Sequence, residues 1–401
     1  MIVKSLKLKN FRNYNLLNIE FDAATNIFCG DNAQGKTNIL ESIYLSGTTK
    51  SHRGTKDRDM IQFGHDEAHI ETVVEKNGIP FQIDMHLKKN SPKGIAINKI
   101  PIRKASELFG IINIVFFSPE DLNIIKNGPA ERRRFIDLEL AQLDKLYLSD
   151  LSNYNRIINQ RNKLLKDVYN RNDLLETLEI WDLQLIQYGN KIIERRKQFI
   201  GQVNEIISEV HRKLTGGREE LKLYYEPGIG NLEFEKALLK NRERDIRMKS
   251  TSVGPHRDDI CFMTNDLDIR KFGSQGQQRT AALSLKLSEI ELVKEIIKDT
   301  PILLLDDVLS ELDKHRQNYL LDSIRDVQTL ITCTGLDDFV NHRFSINKIL
   351  YVKQGEVKVL NESKISEDLY ECRIWCRSNP DTRRIRSSKK KTGNVYWEYL
   401  D

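Results

Sequence analysis

Residues 30–38, with the sequence GDNAQGKTN, have the spacing of a phosphate-binding loop. Gly30 and Gly35 allow the backbone to turn successive N–H groups inward, towards a phosphate. Lys36 can reach the β- and γ-phosphates of a nucleotide, and the hydroxyl of Thr37 can bind Mg²⁺. The predicted nucleotide contacts of this stretch are Gly30, Asn32, Gly35, Lys36, Thr37 and Asn38.

The segments on either side of this stretch have the pattern that a phosphate-binding loop needs. Residues 26–29 are apolar and β-branched and predict a strand, whereas Ile39, Leu40 and Ile43 recur at helical spacing. The alternative is a turn that merely contains two glycines. The order of strand, loop and helix favours the phosphate loop.

A second apolar run, residues 301–305, predicts a strand that ends at Asp306 and Asp307. Asp306 can hold Mg²⁺, and Asp307 can polarise an attacking water molecule, so Asp307 and Lys36 are the predicted catalytic residues. The loop and the aspartates are far apart in the sequence. A parallel sheet built from both ends of the chain would bring them together, with a helical region inserted between them.

A third motif precedes the apolar helical pattern that starts near residue 280. It combines a small hydroxyl, a flexible glycine and N–H groups at a predicted helix N-terminus, which together can bind an anion. Its residues are Ser274, Gln275, Gly276 and Gln277.

The order of these motifs resembles that of ATP-binding cassette (ABC) ATPase heads, and longer segments resemble one family, RecF. These segments are LKNFRNY, GDNAQGKTN, FFSPEDL, GPAERRRFID, YNRIINQRN, SVGPHRDD, SQGQQRTAALSLKL and LLLDDVLSELD, and they lie within residues 1–360. The resemblance implies an α/β fold: an ABC-type ATPase head with a parallel or mixed sheet, plus an inserted antiparallel helical arm domain.

The resemblance also implies roles for single residues. Ser274–Gln277 correspond to the signature motif, which caps the γ-phosphate held by a second subunit, and Arg12 and Asn13 lie where the first turn approaches the nucleotide. Asp307 stands where most cassette ATPases have glutamate, which favours a slow, switch-like ATPase. Thr334 stands where many of them have a histidine.

By the same resemblance, ATP and Mg²⁺ are the expected cofactors, and the expected activity is slow, DNA-stimulated ATP hydrolysis. ATP would join two copies of the chain on DNA near junctions of single and double strands, and RecO and RecR would help to load RecA at gaps. Two alternatives remain open. A transport cassette would need an apolar groove for a membrane partner, and a phosphotransfer kinase would leave residues 274–277 unexplained.

The change in composition along the chain predicts four segments. They are the N-terminal part of the head at 1–125, the helical arm at 126–218, the C-terminal part of the head at 219–360 and an atypical tail at 361–401. Glycine and proline are sparse in the arm, where apolar residues recur at helical spacing up to Thr215-Gly216-Gly217. The helices are expected to be antiparallel, with a break near residues 170–173.

The tail differs in character from the rest of the chain. Shifted by one base after back-translation, residues 381–399 can encode a stretch that resembles the start of the DNA gyrase B protein, which predicts a frameshifted, disordered and dispensable tail. The alternative is a DNA-binding arm with Cys372 and Cys376 as metal ligands, but two cysteines alone make a poor zinc site.

Charge and hydropathy limit the class of protein. A net charge of +5, from 63 basic and 58 acidic side chains, is only weak evidence for a polyanionic partner, so local clusters must carry that argument. The candidate DNA contacts are Arg53, Lys56, Arg132, Arg133 and Arg134, with 195–197 as a further basic run, and the alternative for each cluster is a solvated surface. No apolar run approaches the roughly 18 residues of a membrane span, and the N-terminus alternates like a strand with Ile2, Leu6 and Leu8 on one face, so a cytoplasmic protein is expected.

Overall fold

The computed structural model describes residues 1–168, 175–230, 232–335, 346–360, 385–389 and 395–399. The chain forms two compact units. Unit 1 contains Met1–Pro119 and Ile297–Asp401, and unit 2 contains Glu120–Ile296. Unit 1 therefore combines the two ends of the chain, as the sequence predicts for a sheet that joins the phosphate loop to the aspartates.

The core of unit 1 is a six-stranded, mainly parallel sheet. Its strands are β3 (Thr25–Cys29), β8 (Ile114–Phe117), β12 (Ile302–Asp306), β13 (Thr329–Cys333), β14 (Lys348–Lys353) and β15 (Glu356–Val359). The strand order is β15-β14-β3-β13-β12-β8, and β15 alone runs antiparallel to its neighbour. Every residue of β3, β8, β12 and β13 is buried, which explains why these segments are predominantly apolar. Because β3 and β12 are both parallel to β13, their carboxyl ends lie at the same edge of the sheet.

The described residues of unit 1 also form helices α1 (Lys36–Thr48), which follows β3, and α9 (Lys314–Ser323), which lies between β12 and β13 in the chain. Helix α1 buries Ile39, Leu40 and Ile43 completely, as their helical spacing predicts. Short 3₁₀ turns occur in both units, at Asp57–Met60, Ala105–Glu107, Pro119–Asp121, Pro255–Arg257 and Leu309–Glu311.

The second sheet of unit 1 is antiparallel, with the order β2-β1-β4-β5-β6-β7. Its strands are β1 (Ile2–Phe11), β2 (Tyr14–Glu20), β4 (Glu67–Lys76), β5 (Ile79–Lys88), β6 (Gly94–Ile97) and β7 (Ile100–Pro101). The turn between β4 and β5 places Asn77 and Gly78 at φ 52° and 75°, the conformation that an Asn-Gly hairpin favours. A register shift between Val3 and Ser5 buries Val3 in place of Ile2, which corrects the predicted face of β1.

In its described residues, unit 2 contains seven helices and a three-stranded antiparallel sheet. The helices are α2 (Leu122–Lys126), α3 (Pro129–Leu143), α4 (Lys145–Val168), α5 (Leu175–Leu214), α6 (Phe234–Met248), α7 (Ile269–Phe272) and α8 (Gln275–Ile297, which ends one residue into unit 1). The strands are β9 (Leu221–Glu226), β10 (Asp259–Thr264) and β11 (Leu267–Asp268). Unit 2 thus extends beyond the helical arm predicted at 126–218 and includes residues 274–277.

The longest helices of unit 2, α4 and α5, run antiparallel, as predicted. Three ion pairs set their register: Arg161 with Asp182, Asp150 with Lys191 and Asp144 with Arg195. Positions nearer the start of α4 pair with positions nearer the end of α5, which requires opposite directions. Helix α5 ends at Leu214, just before Thr215-Gly216-Gly217, as predicted for the end of the helical pattern, whereas the predicted break at 170–173 lies outside the described residues.

Two buried arginines connect these helices to the segment after α6. Arg161 is fully buried and donates to Asp182, Asp245 and Thr251 at 2.6–2.8 Å. Arg196, which is 2% exposed, donates to Asp258 and Asp137 at 2.6 Å each. Such charges are tolerated in a core when they are paired with carboxylates, as both arginines are, although Nη2 of Arg161 is buried without a hydrogen-bond partner among the described residues.

The described part of the tail is a pair of short antiparallel strands, β16 (Ile385–Lys389) and β17 (Val395–Tyr399). The predicted disorder and dispensability of residues 361–401 stay predictions. The remainder of the tail lies outside the described residues. Over the described ranges, no helix has the length and apolar character needed to cross a bilayer.

Candidate nucleotide-binding site

The loop between β3 and α1 is shaped by two glycines. Gly30 has φ 146°, and a Cβ there would lie 2.3 Å from the carbonyl oxygen of Val352. Gly35 has φ 111°, and a Cβ there would lie 2.4 Å from Nδ2 of Asn13. Positive φ angles and such close contacts disfavour any larger residue, so both glycines are needed for the geometry of the loop.

Lys36 lies inside this loop. Its Nζ donates to the carbonyl oxygens of Gly30 and Asp31 at 2.5 and 2.8 Å, and the residue is only 7% exposed. Burial lowers the pKa of Lys36, while nearby acidic groups, including Asp307 and Asp306, oppose that shift. A buried ammonium at the start of a helix forms a compact positive site for phosphate oxygens.

The first hairpin of the chain braces the loop. Asn13 donates from Nδ2 to the carbonyl oxygen of Gln34 at 2.9 Å and accepts at Oδ1 from Nδ2 of Asn38 at 2.8 Å. The hydroxyl of Tyr14 donates to the carbonyl oxygen of Gly35 at 3.0 Å. The structure therefore brings the predicted residues Asn13 and Asn38 together beside the loop, in contact with each other. A direct contact of either with a nucleotide stays a prediction.

The turn between β14 and β15 braces the loop from the far end of the chain. The backbone N–H of Gln354 donates to Oε1 of Gln34 at 2.7 Å. The N–H of Gly355 donates to the carbonyl oxygen of Gln34 at 3.3 Å. A Cβ at Gly355 would lie 2.6 Å from the carbonyl oxygen of Asn13. This contribution was not predicted, and the Gln-Gly turn between two short strands is the one sign of it in the sequence.

Arg12 is held within the protein by a buried carboxylate. Its Nε and one terminal nitrogen donate to the two carboxylate oxygens of Glu41, in α1, at 2.8 and 2.7 Å. Burial alone would raise the pKa of Glu41, but the hydrogen bonds from Arg12 and Ser51 outweigh burial and lower it. Arg12 also donates to Thr55 and to the carbonyl oxygen of Asp59. It therefore ties the first hairpin and residues 51–59 to the loop helix, and its predicted contact with nucleotide stays a prediction.

The predicted Mg²⁺ ligands meet directly. Thr37, the second residue of α1, donates from Oγ1 to Oδ1 of Asp306, the last residue of β12, at 2.8 Å. Burial raises the pKa of Asp306, and hydrogen bonds from Thr332 and Thr37 oppose that shift. A hydroxyl and a carboxylate at this distance supply the hard oxygen donors that Mg²⁺ prefers, so these two residues fit the predicted ion.

Thr332 is a member of the site that the sequence analysis did not identify. From the neighbouring strand β13, its buried hydroxyl donates to Oδ1 of Asp306 at 2.8 Å and accepts from the backbone N–H of Asp307 at 3.0 Å. Asp307 has φ 54°, a left-handed conformation that a non-glycine residue rarely adopts. Thr332 thus positions both aspartates. The sign of this role in the sequence was a hydroxyl near the end of the mostly apolar strand TLITC.

The predicted signature residues begin helix α8 in unit 2. The N–H of Gln277 donates to Oγ of Ser274 at 3.2 Å, and the N–H of Ser274 donates to Oε1 of Gln277 at 2.9 Å, which forms a capping box. The predicted helix N-terminus is therefore confirmed. Ser274, Gln275 and Gly276 face solvent, whereas Gln277 is half-buried and donates to Glu219 at 3.0 Å.

The five predicted DNA contacts differ in their surroundings. Arg53, Lys56 and Arg134 are exposed. Arg132 is buried, contrary to the prediction that it contacts DNA. It is 4% exposed, pairs with Asp259 through two nitrogens at 2.5 and 3.0 Å and donates to three carbonyl oxygens. Arg133 is half-buried and donates to the carbonyl oxygen of Asp258 at 2.7 Å. In the basic run at 195–197, Arg196 is buried as described above, so these runs are not uniform solvent-facing patches.

Comparisons with known proteins agree with this geometry. A family model described as the RecF/RecN/SMC N terminal domain matches residues 2–358. The DNA replication and repair protein RecF of Agathobacter rectalis is 65% identical over 362 residues, which cover 90% of this chain and 100% of that relative. A solved structure of the recombination mediator protein RecF with ATP, in the RecFOR pathway, has a TM-score of 0.83 at 34% identity and covers 90% of this chain and 97% of that chain.

A more distant similarity concerns the fold alone. The Smc head domain from Pyrococcus furiosus has a TM-score of 0.53 at 19% identity and covers 92% of this chain and 99% of that chain. Together with the strand order of the parallel sheet, these similarities confirm the predicted fold class, an α/β ABC-type ATPase head.

Proposed function

The chain belongs to the RecF family of DNA replication and repair proteins, and from that premise we propose that it is an ATP-switched DNA-binding protein. ATP joins two copies of the chain on DNA near junctions of single and double strands, and slow hydrolysis releases them. The observation that carries this proposal is the hydrogen bond between Thr37 and Asp306, which unites the loop and the aspartates from opposite ends of the chain.

Each group at the site has a role in this proposal. Lys36 and the N–H groups of the loop bind the phosphates, and Thr37 and Asp306 hold Mg²⁺, which when bound neutralises charge on the phosphate oxygens. Asp307 orients the attacking water. Ser274 and Gly276 of one copy contact the nucleotide that the other copy holds, an arrangement supported by their exposure at the start of α8.

The DNA is contacted through its phosphate backbone, which gives affinity without sequence specificity. Of the predicted residues, Arg53, Lys56 and Arg134 are the candidates that the structure leaves exposed. RecO and RecR are the proposed partners in loading RecA at gaps, and the cytoplasm is the proposed location. The solved relative that belongs to the RecFOR pathway supports these partners.

We also propose that the tail beyond residue 360 is a frameshifted extension with no part in this function. The family model ends at residue 358. The match to the Agathobacter rectalis relative includes the whole of that protein but only 90% of this chain.

The first test of the proposal is solution mass by light scattering, with and without Mg·ATP and a gapped duplex, at two salt concentrations. We expect ATP to convert monomer to dimer and the DNA complex to weaken as salt rises. We expect Ser274→Arg to retain ATP binding but to weaken the ATP-dependent dimer about 100-fold or more, because a bulky cation replaces the small hydroxyl at the shared site.

The matched control for that variant is Ser152→Arg, which places the same side chain on an exposed position of α4. It should dimerise like the unmodified protein. Loss of the helix cap makes Ser274→Arg less stable by about 0.5–2 kcal/mol, so its melting temperature is measured first. Normal ATP-dependent dimerisation of a folded Ser274→Arg protein would refute the shared site.

Thr332→Val tests how the aspartates are supported. The change removes a hydroxyl that donates to Asp306 and accepts from the backbone N–H of Asp307, and leaves that partly buried N–H without this partner. We expect stability to fall by about 1–3 kcal/mol in urea unfolding and ATP turnover to fall about tenfold or more. Thr329→Val is the control, since its buried hydroxyl lies on the same strand and donates only to the carbonyl oxygen of Val327. Equal turnover in the two variants would refute the role of Thr332.

A further inference from the structure

The solvent face of the antiparallel sheet carries two histidines and a glutamate in contact. His69 in β4 and His86 in β5 are directly opposite each other in the strand register, and Glu67 lies two residues before His69 on the same face of β4. Neighbouring residues of this face form ordinary surface ion pairs, such as Lys7 with Glu71 at 2.8 Å. The histidine pair is therefore a distinct feature of an otherwise charged surface.

The three side chains converge through the atoms that bind metals. The imidazole rings are stacked with centroids 3.9 Å apart. Oε2 of Glu67 lies 2.7 Å from Nε2 of His86 and 4.0 Å from Nε2 of His69, and one ligand atom from each of the three lies within 4.8 Å of the others. Zinc bonds of 2.0–2.2 Å in a tetrahedron separate ligand atoms by about 3.3–3.5 Å. To reach that spacing, the Glu67–His86 distance of 2.7 Å must lengthen and the Glu67–His69 distance of 4.0 Å must shorten. No other three such residues converge in this way in the described parts of the chain.

Charged side chains on the same sheet surround these three residues. Lys9 and Lys88 are the register partners of His69 and Glu67 and oppose a cation, but Lys9 faces solvent, where its charge is screened. Glu71 and Asp84, the next pair along the same two strands, add negative charge to the face.

We propose that Glu67, His69 and His86 form a zinc site on the outer face of this sheet, separate from the nucleotide-binding site. Two imidazole nitrogens and one carboxylate oxygen suit Zn²⁺, whereas Mg²⁺ prefers oxygen ligands alone. Three protein ligands leave a fourth tetrahedral position open to water or to a donor from another molecule. A bound ion would also cross-link β4 and β5 through their side chains.

The test is titration of the full-length, tag-free, metal-stripped protein with ZnCl₂, followed by calorimetry in excess MgCl₂. We expect His86→Ala to bind one equivalent of Zn²⁺ fewer, or to bind that equivalent at least tenfold more weakly. The matched control is His65→Ala, an exposed histidine just before β4, which should bind like the unmodified protein. Cys372 and Cys376 are present in all three proteins, so any binding to them cancels in the comparison.

A second variant and a spectroscopic measurement distinguish the loss of a metal ligand from misfolding. Glu67→Gln keeps the shape of the side chain and removes its charge, and it should weaken the same equivalent of Zn²⁺ while leaving the metal-free melting temperature unchanged. With Co²⁺ as the probe, the equivalent lost in His86→Ala should show no thiolate-to-cobalt charge-transfer band, because its ligands are nitrogen and oxygen. Equal Zn²⁺ binding by the unmodified protein, His86→Ala and Glu67→Gln would overturn the proposal.

Discussion

Lys36→Ala is expected to abolish measurable ATP binding, with affinity reduced about 100-fold or more. The side chain lies in the loop with its ammonium surrounded by the carbonyl oxygens of Gly30 and Asp31, at the point where the N-terminus of α1 begins. Removing one member of a desolvated pair of charges typically costs about 2–5 kcal/mol, which corresponds to this loss of affinity.

The effect on folding should be small by comparison. The loop keeps its braces in Lys36→Ala, since Asn13 and Tyr14 hold it from one side and Gln354 from the other, and none of these contacts involves the lysine. We therefore expect thermal unfolding without nucleotide to change little. The stabilisation that Mg·ATP gives to the unmodified protein should be absent, because only a ligand that binds the folded state raises its melting temperature.

Calorimetric titration with Mg·ATP measures the prediction directly. Lys240→Ala removes a lysine from the exposed surface of α6 and serves as the control, with affinity equal to that of the unmodified protein. A folded Lys36→Ala protein that binds ATP with unchanged affinity would rule out the loop as the phosphate site.

The parts of the site that the sequence predicted are those with local patterns. The phosphate loop needs two glycines and a lysine at fixed spacing, and the strand before Asp306 is a continuous apolar run, so each half could be found alone. The proximity of the phosphate loop to the aspartates was predicted from one further rule. Buried apolar strands belong to a parallel sheet, and their carboxyl ends lie at the same edge of that sheet. The contact between Thr37 and Asp306 agrees with that reasoning.

The residues that the sequence did not reveal act through tertiary contacts with no local pattern. Thr332 and Gln354 reach the site from neighbouring strands, and in the sequence they are an ordinary threonine in a strand and an ordinary turn residue. The face of β1 was misplaced by one residue at its start, because a bulge between Val3 and Ser5 leaves no trace in the alternation of side chains.

Basic runs gave the least reliable predictions, for a physical reason. Arg132 and Arg196 stand beside other basic residues, which is the usual pattern of a solvated or DNA-binding face. Their partners, Asp259 and Asp258, are 127 and 62 residues away in the sequence, so the buried ion pairs could not be anticipated. The Arg-Asp pairs explain why a segment as polar as GPHRDD lies partly inside unit 2.

Arg161→Met should destabilise the protein more than any other single change considered. Arg161 is fully buried, and its loss leaves Asp245 without this cation and Asp182 with only the more distant Arg242, at 3.9 Å. Breaking a buried ion pair on one side costs about 3–5 kcal/mol. For a unit of this size each kcal/mol lowers the melting temperature by about 2–4 °C, so we expect a decrease of roughly 10 °C.

Two controls separate the lost charge from lost packing. Arg156→Met makes the same change at an exposed position of α4 and should alter stability by less than about 0.5 kcal/mol. Adding Asp182→Asn and Asp245→Asn to Arg161→Met should recover part of the loss, because the side chains that have lost Arg161 are then neutral. If the triple variant is no more stable than Arg161→Met, the cost comes from packing and hydrogen bonds, and the charge argument fails.

The dependence on pH supplies an independent readout. Burial raises the pKa of Asp182, and Arg161 opposes that shift, so removing the arginine raises this pKa further. A carboxyl whose pKa is higher in the folded state than in the unfolded state stabilises the fold when protonated, and this stabilisation is lost as the pH rises through the folded-state value. The stability deficit of Arg161→Met relative to the unmodified protein should therefore be largest near neutral pH and shrink towards acid pH. A deficit in urea unfolding that is the same at all pH values would mean that Asp182 does not carry the penalty.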